Sequence, residues 1–186
     1  MFCHQMRQRR SKPKAAEESR TSRLTPDEIR ARAFQRAVKL LAAKPRSVAE
    51  LRERLLERSS SKAVVETVIT RLREYGYLDD ERYALGYASA RVRQQPVGRR
   101  RLQQSLQMKK LDRAVVDEAL NQLFAETSEE ELIDRAIEKR IRLRGRPKTR
   151  VEAKSLFDHL LRQGFPFELV SEKVRASSEA ALDEIE

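Results

Sequence analysis

Residues able to do chemistry are few and scattered in this sequence. It holds one cysteine, Cys3, and two histidines, His4 and His159. Cys3 beside His4 pairs a thiol with an imidazole, but activating a nucleophile needs fixed geometry, which two neighbours in a basic, Ser-rich arm do not supply. One Cys and two separated His make no metal-ligand set of the usual type, and no serine elbow or Gly-rich phosphate loop occurs. Asp79 and Asp80 are adjacent acids, yet they stand where a helix is expected to begin, and capping accounts for them. The expectation is a protein that is not an enzyme, with no catalytic residue, metal or cofactor.

The basic residues are more informative. Formal charge is +11 and the pI is near 10.1, which suits a polyanion or an acidic protein surface. Residues 1–30, 31–82 and 83–126 each carry +4, while 127–186 carry −1. Within that excess lie three clusters: Lys44 and Arg46; Arg99, Arg100 and Arg101; and Arg144, Arg146, Lys148 and Arg150. Guanidinium groups in a row would track a phosphate backbone or grip carboxylates in bidentate fashion. Each cluster taken singly also reads as a solvated loop, and the overall excess as a device for solubility or as the charge of a ribosome-associated protein.

Positioning these clusters falls to short amphipathic helices. Hydrophobic residues make up 39% and aromatics 5%, with no Trp, a thin supply for one large core. Thr25, Pro26, Asp27 and Glu28 read as cap, first turn and dipole-complementing acids of a helix whose apolar face is Phe34, Ala37, Val38 and Leu41. Lys44 and Pro45 close it. Ser47 and Glu50 form a capping-box pattern ahead of Val48, Leu51 and Leu55. A third helix carries Val65, Val68, Ile69 and Leu72 and stops at Gly76.

The three-helix unit then returns. Pro45 recurs as Pro96 and Pro147, 51 residues apart each time, and with that offset Leu51, Leu55, Val64, Val65, Ile69 and Leu72 fall on Leu102, Leu106, Val115, Val116, Leu120 and Leu123. From the second unit to the third, an offset of 54 sends Leu102, Leu106, Leu111, Val115, Val116 and Leu120 to Leu156, Leu160, Phe165, Leu169, Val170 and Val174, which implies three residues gained in the preceding loop. Ser128 with Glu131 and Thr149 with Glu152 supply further capping boxes, Asp79 and Asp112 further N-caps, and Gly164 a further stop. All three basic clusters fall at the connection between the first and second helices of a unit, so stacked units would align them on one edge. Units of about 50 residues are small enough to need their neighbours. One irregular helical bundle is the competing arrangement.

Tyr75, Tyr77, Tyr83 and Tyr87 crowd at the boundary of the first two units, where they are expected to pack one unit on the next rather than to stack on bases. That boundary reads Gly76-Tyr77-Leu78-Asp79-Asp80-Glu81-Arg82-Tyr83-Ala84, with Tyr87 and Arg91 following on the same helix. It resembles the signature of the RecX family, in which Gly-Tyr-Leu-Asp-Asp leads into an aromatic-Ala helix. Ser47 to Leu55, Gly98 to Leu106 and Leu160 to Phe167 are similar to further pieces of that family, over about residues 30–175. Lys110-Leu111-Asp112 departs from it, since the family often has Gly before the aliphatic residue.

The resemblance implies an all-α fold of three tandem three-helix repeats, over 25–78, 79–126 and 127–176, in an elongated, curved array; outside it a disordered basic arm is expected over 1–24 and an acidic tail over 177–186. It implies a regulator that binds the RecA–DNA filament and modulates, usually inhibits, its ATPase, strand exchange and coprotease activities. The contact edge is expected to comprise Arg91, Arg99, Arg100, Arg101, Arg144, Arg146, Lys148 and Arg150. The alternative is a sequence-independent binder of single- or double-stranded DNA that acts without RecA. A monomer in the cytoplasm is expected, because a lone cysteine forms no internal disulfide and no apolar run reaches the roughly 18 residues of a membrane span.

Overall fold

A computed structural model describes residues 24–58 and 61–178. The arm, apart from its last residue, and the tail beyond Ser178 lie outside the described residues. Those described form nine helices and no strand: α1 (Pro26–Ala43), α2 (Val48–Leu56), α3 (Lys62–Glu74), α4 (Asp80–Gln94), α5 (Arg99–Gln107), α6 (Arg113–Glu126), α7 (Glu129–Arg144), α8 (Arg150–Arg162) and α9 (Phe167–Ser177). Every substantial helix pairing is internal to the triplets α1–α3, α4–α6 and α7–α9, so the chain is a series of three-helix units.

Local chemistry sets the helix ends. Thr25, Ser47 and Thr149 each complete a reciprocal capping box with the Glu three residues on, while Asp79, Asp112 and Ser128 accept a backbone N–H without the return bond. Gly76, at φ +68°, closes α3: its N–H donates to the Arg73 carbonyl and that of Tyr77 donates to the Leu72 carbonyl, the paired bonds of a Schellman stop. Lys110 takes the same left-handed conformation at φ +57°, so the glycine-like stop between α5 and α6 persists without a glycine.

The repeated leucines fill the interior. Leu51, Leu55, Leu102, Leu106 and Leu160 are sealed from solvent and Leu156 nearly so, and the equivalent Val64, Val115 and Leu169 are each half-buried. On α1 the buried face is rotated from the expected stripe: Ala33 and Ala37 are buried, whereas Val38 is 39% exposed. The small alanines let α3 approach α1, and Phe34 and Leu41 flank that contact. Buried residues form two cores. One spans Ala33 to Leu78 in the first unit, and the other runs without a break from Ala84 to Val174 through the second and third.

Consecutive units meet through a repeated polar junction. The N–H of Val48, first residue of α2, donates to the Asp80 carboxylate at the first residue of α4 (2.8 Å). One unit later, the N–H of Arg99, first residue of α5, donates to Glu129 at the first residue of α7 (2.8 Å). Behind this bond Ser47 Oγ donates to the Lys109 carbonyl (2.6 Å), and at the equivalent place the Gly98 N–H donates to the Gln163 carbonyl (3.0 Å). Each free helix N-terminus thus finds its acceptors in the next unit.

In the third unit the added residues do not lengthen the loop. They extend the second helix by a turn, because the Thr149–Glu152 box starts α8 early, and Leu156 lies three positions deeper in α8 than Leu102 does in α5. The N–H equivalent to those of Val48 and Arg99 is that of Ala153, which bonds to the Thr149 carbonyl inside its own helix (2.9 Å). This end of the array offers no free donor at that point.

Candidate functional site

The connections between first and second helices lie beside grooves formed where units meet. At the first junction a groove of about 570 Å³ is lined by Lys44, Pro45 and Arg46 from one side and by Tyr77, Arg82, Tyr83 and Tyr87 from the other. Arg46 Nε is buried there without a hydrogen-bond partner. Burial, and then the charge of Glu50, push the Tyr83 phenol up to about 12, so it stays protonated as a donor. At the second junction Gln95 and Pro96 face Lys139, Arg140 and His159 across about 180 Å³. An adjoining hollow of about 260 Å³ is lined by Arg140, Arg144, Arg146 and Glu152. Arg140 borders both, which joins them into one cationic strip.

The structure separates the expected edge residues into two kinds. Arg99 and Arg101 are fastened: Arg99 Nη2 donates to Asn121 Oδ1 (2.5 Å) with its guanidinium over the Phe124 ring, and Arg101 Nη1 donates to the Arg162 carbonyl (2.8 Å). Arg100, Arg144, Arg146, Lys148 and Arg150 are exposed, and none forms an ion pair among the described residues. Arg91 is half-buried on α4. Glu152, the acid nearest the third connection, is occupied by the N–H groups of Lys148 (2.7 Å) and Thr149 (3.3 Å).

The motif residues at the first boundary have structural work. Gly76 makes the turn, Leu78 is buried in the first core, Asp79 caps Arg82 N (2.9 Å), Asp80 holds Val48 N, and Ala84 is sealed in the second core. Both acids of the pair are thereby consumed as acceptors. Of the tyrosines, Tyr83 and Tyr87 do pack at the junction, while Tyr75 sits edge-on to Phe34 within the first unit and Tyr77 is 62% exposed.

Linear reading missed the surroundings of His159. Burial holds its pKa below the ordinary value of 6.5, and Arg140, Arg162, Arg101 and Arg144 depress it further. Arg140 is itself lowered by burial and by the nearby Arg144 and Arg162. These residues come from α5, α7 and α8, and no sequence period relates them. No group of three His, Cys, Asp or Glu able to hold a metal occurs among the described residues, and no described helix is long and apolar enough to cross a membrane.

A sequence model for the first three-helix domain of RecX matches residues 33–72, and one for the second matches residues 79–120. The regulatory protein RecX of Treponema pallidum strain Nichols is 39% identical over 109 residues, 59% of this chain and 66% of that protein. That of Thermobifida fusca is 30% identical over 156 residues, 83% of each chain. That of Bacillus subtilis is 29% identical over 160 residues, 86% of this chain but 57% of its own length. This chain therefore spans two thirds or less of the Treponema and Bacillus relatives. The crystal structure of RecX from Lactobacillus salivarius superposes with a TM-score of 0.71 at 17% identity, covering 81% of this chain and 97% of that one, and so shares the fold. A second RecX crystal structure gives 0.70 at 21% identity, covering 89% and 79%. With three-helix units in series and a relative matched along most of both chains, this chain belongs to the RecX family of regulatory proteins.

Proposed function

We propose that the protein binds along a RecA–DNA filament and restrains RecA's ATPase, strand-exchange and coprotease activities, acting without catalysis of its own. Units 25–78, 79–126 and 127–176 would act as successive modules, with Arg91, Arg100, Arg144, Arg146, Lys148 and Arg150 in contact, Arg99 fastened inside the second unit and Arg101 on the boundary between the second and the third. The observation that carries the reading is the run of exposed cations at the connections, none of them paired to a carboxylate among the described residues. Several weak contacts on one rigid array gain from effective concentration, so no single one need be strong.

The test is RecA's single-strand-dependent ATPase as the protein is titrated in, beside its binding to the same DNA without RecA. Inhibition well below one molecule per RecA protomer, lost on reversing Arg100, Arg144, Arg146 and Arg150 to Glu with helicity unchanged, is expected. An unaffected ATPase with tight, salt-sensitive binding to bare DNA would replace this reading with that of a DNA binder acting without RecA.

A further inference from the structure

Equivalent positions at the two junctions carry opposite charge logic. At the first, Glu50 and Glu53 of α2 pair with Lys109 (3.1 Å) and Lys110 across the boundary. Moving on one unit, Glu50 becomes Arg101 and Glu53 becomes Gln104, while Lys109 and Lys110 become Gln163 and Gly164. The second junction has thereby lost both acid–lysine pairs and gained Arg101, its remaining acid Glu129 accepting the Arg99 N–H.

We propose that the second junction is a phosphate-binding site, in which Arg101, Arg140, Arg144, Arg162 and His159 take a phosphodiester of a nucleic-acid backbone. The hydrogen bonds that hold these groups leave their charge unanswered. Arg101 donates to the Arg162 carbonyl and Arg140 Nη2 donates to Ser155 Oγ (3.0 Å), both neutral acceptors. Glu152, the carboxylate of the adjoining hollow, accepts backbone N–H groups through Oε2 and forms no ion pair among the described residues. None of the five forms an ion pair among the described residues. Like charges brought together from three helices repel, and an anion seated among them reverses the sign of that interaction. The strip continues through Arg144 to Arg146, which suits a chain of phosphates rather than one carboxylate.

His159 gives the site a signature. Facing it are Arg101 of α5, Lys139, Arg140 and Arg144 of α7, Arg162 of its own helix, and the uncharged Gln95 and Pro96. In the free protein its pKa lies below 6.5, because burial and then the arginines oppose a further positive charge. A bound phosphate favours the imidazolium, so binding takes up a proton. Affinity then rises as pH falls, and the gain is lost as pH climbs through the bound-state value.

The proposal names a ligand for part of the edge invoked above, but its test uses no RecA, so the two readings fail separately. The His159 ring resonance, assigned with H159Q, is titrated in the full chain free, with a saturating thymidine oligonucleotide, and with inorganic phosphate. The oligonucleotide is expected to raise its midpoint by about one pH unit. R140Q and, independently, the exposed R144Q should each weaken oligonucleotide binding by up to about tenfold and reduce its salt slope by about 1. An equal rise with inorganic phosphate alone, and no salt-dependent oligonucleotide binding, would overturn the backbone assignment in favour of a small-anion site. A midpoint unmoved by saturating oligonucleotide would sink the proposal outright.

Discussion

The two junctions are built on one plan and held by different forces. Both place a helix N-terminus against an acidic first residue of the next unit, Val48 on Asp80 and Arg99 on Glu129. Around that bond the first junction is stitched by side chains, Ser47 to Lys109, Glu50 to Lys109 and Glu53 to Lys110, and it separates two cores. The second brings main chains together, Gly98 to Gln163 and Arg100 to Gly164 (3.3 Å), and a single core runs across it. Main-chain contact at the second junction stands where acid–lysine pairs stand at the first, with Arg101 and Gln104 in the places of Glu50 and Glu53. The close main-chain contact, made at Gly98 and Gly164, and the loss of the acid–lysine pairs, at Arg101 and Gln104, thus occur together at the second junction.

The largest expected effect follows from that closeness. A Cβ on Gly164 would overlap the Arg101 backbone, and the residue sits at φ +90°. Gly164→Ala should cost roughly 3 kcal/mol, from about 1–2 for the left-handed backbone and 1–3 for overpacking, less whatever relaxation recovers. Urea unfolding measures it; a loss under about 0.5 kcal/mol would show that the second junction is not the tight one. Gly98→Ala, which meets the Gly164 carbonyl and Phe165 N, should act in the same direction.

Ser47→Ala tests the other side. It removes an N-cap and leaves the Lys109 carbonyl short of a donor, a loss of about 1–2 kcal/mol. Because the first unit has its own core, the loss should fall on residues 25–78, and hydrogen exchange should accelerate there while α7–α9 keep their protection. Uniform acceleration along the chain would mean that the two cores unfold as one.

Next in size is the Glu50–Lys109 pair, whose side chains are each 22% exposed. A double-mutant cycle should return a coupling of about 0.5–1 kcal/mol at low salt, shrinking as salt is raised. No such coupling is expected between Arg101 and Gln163, which hold the equivalent positions. A measured coupling there would erase the contrast.

How much of this was legible follows from how local the signals are. Capping residues act over three or four positions, so Thr25, Ser47, Asp79, Asp112 and Thr149 mark helix starts from sequence alone. The leucine repeat needs only that burial recur, and it does. Tertiary assignments were hidden. Nothing near Arg99 reveals that Asn121 and Phe124 fasten it, while Arg100 beside it stays free. His159 looked solitary because its four arginine neighbours lie 3 to 58 positions away along the chain. The turn added to α8 was misplaced into a loop because an offset between leucines counts residues without saying what conformation they take.

The smallest predicted effect bears on the one residue that both stops a helix and stitches the first junction. Lys110 holds a left-handed backbone where Gly164 stands in the second junction, and it pairs with Glu53. Lys110→Gly relieves about 1 kcal/mol of backbone strain, but it gives up an exposed ion pair worth about 0–1 and adds chain entropy to the unfolded state. The terms oppose one another, so stability should change by less than about 0.5 kcal/mol in low salt and move toward a net gain in high salt, where the pair is screened. Paired urea melts of wild type and variant at two ionic strengths measure the difference. A loss that grows with salt would mean that Lys110 is kept by the close fit of its alkyl chain at the junction, so that the first junction too would depend on packing.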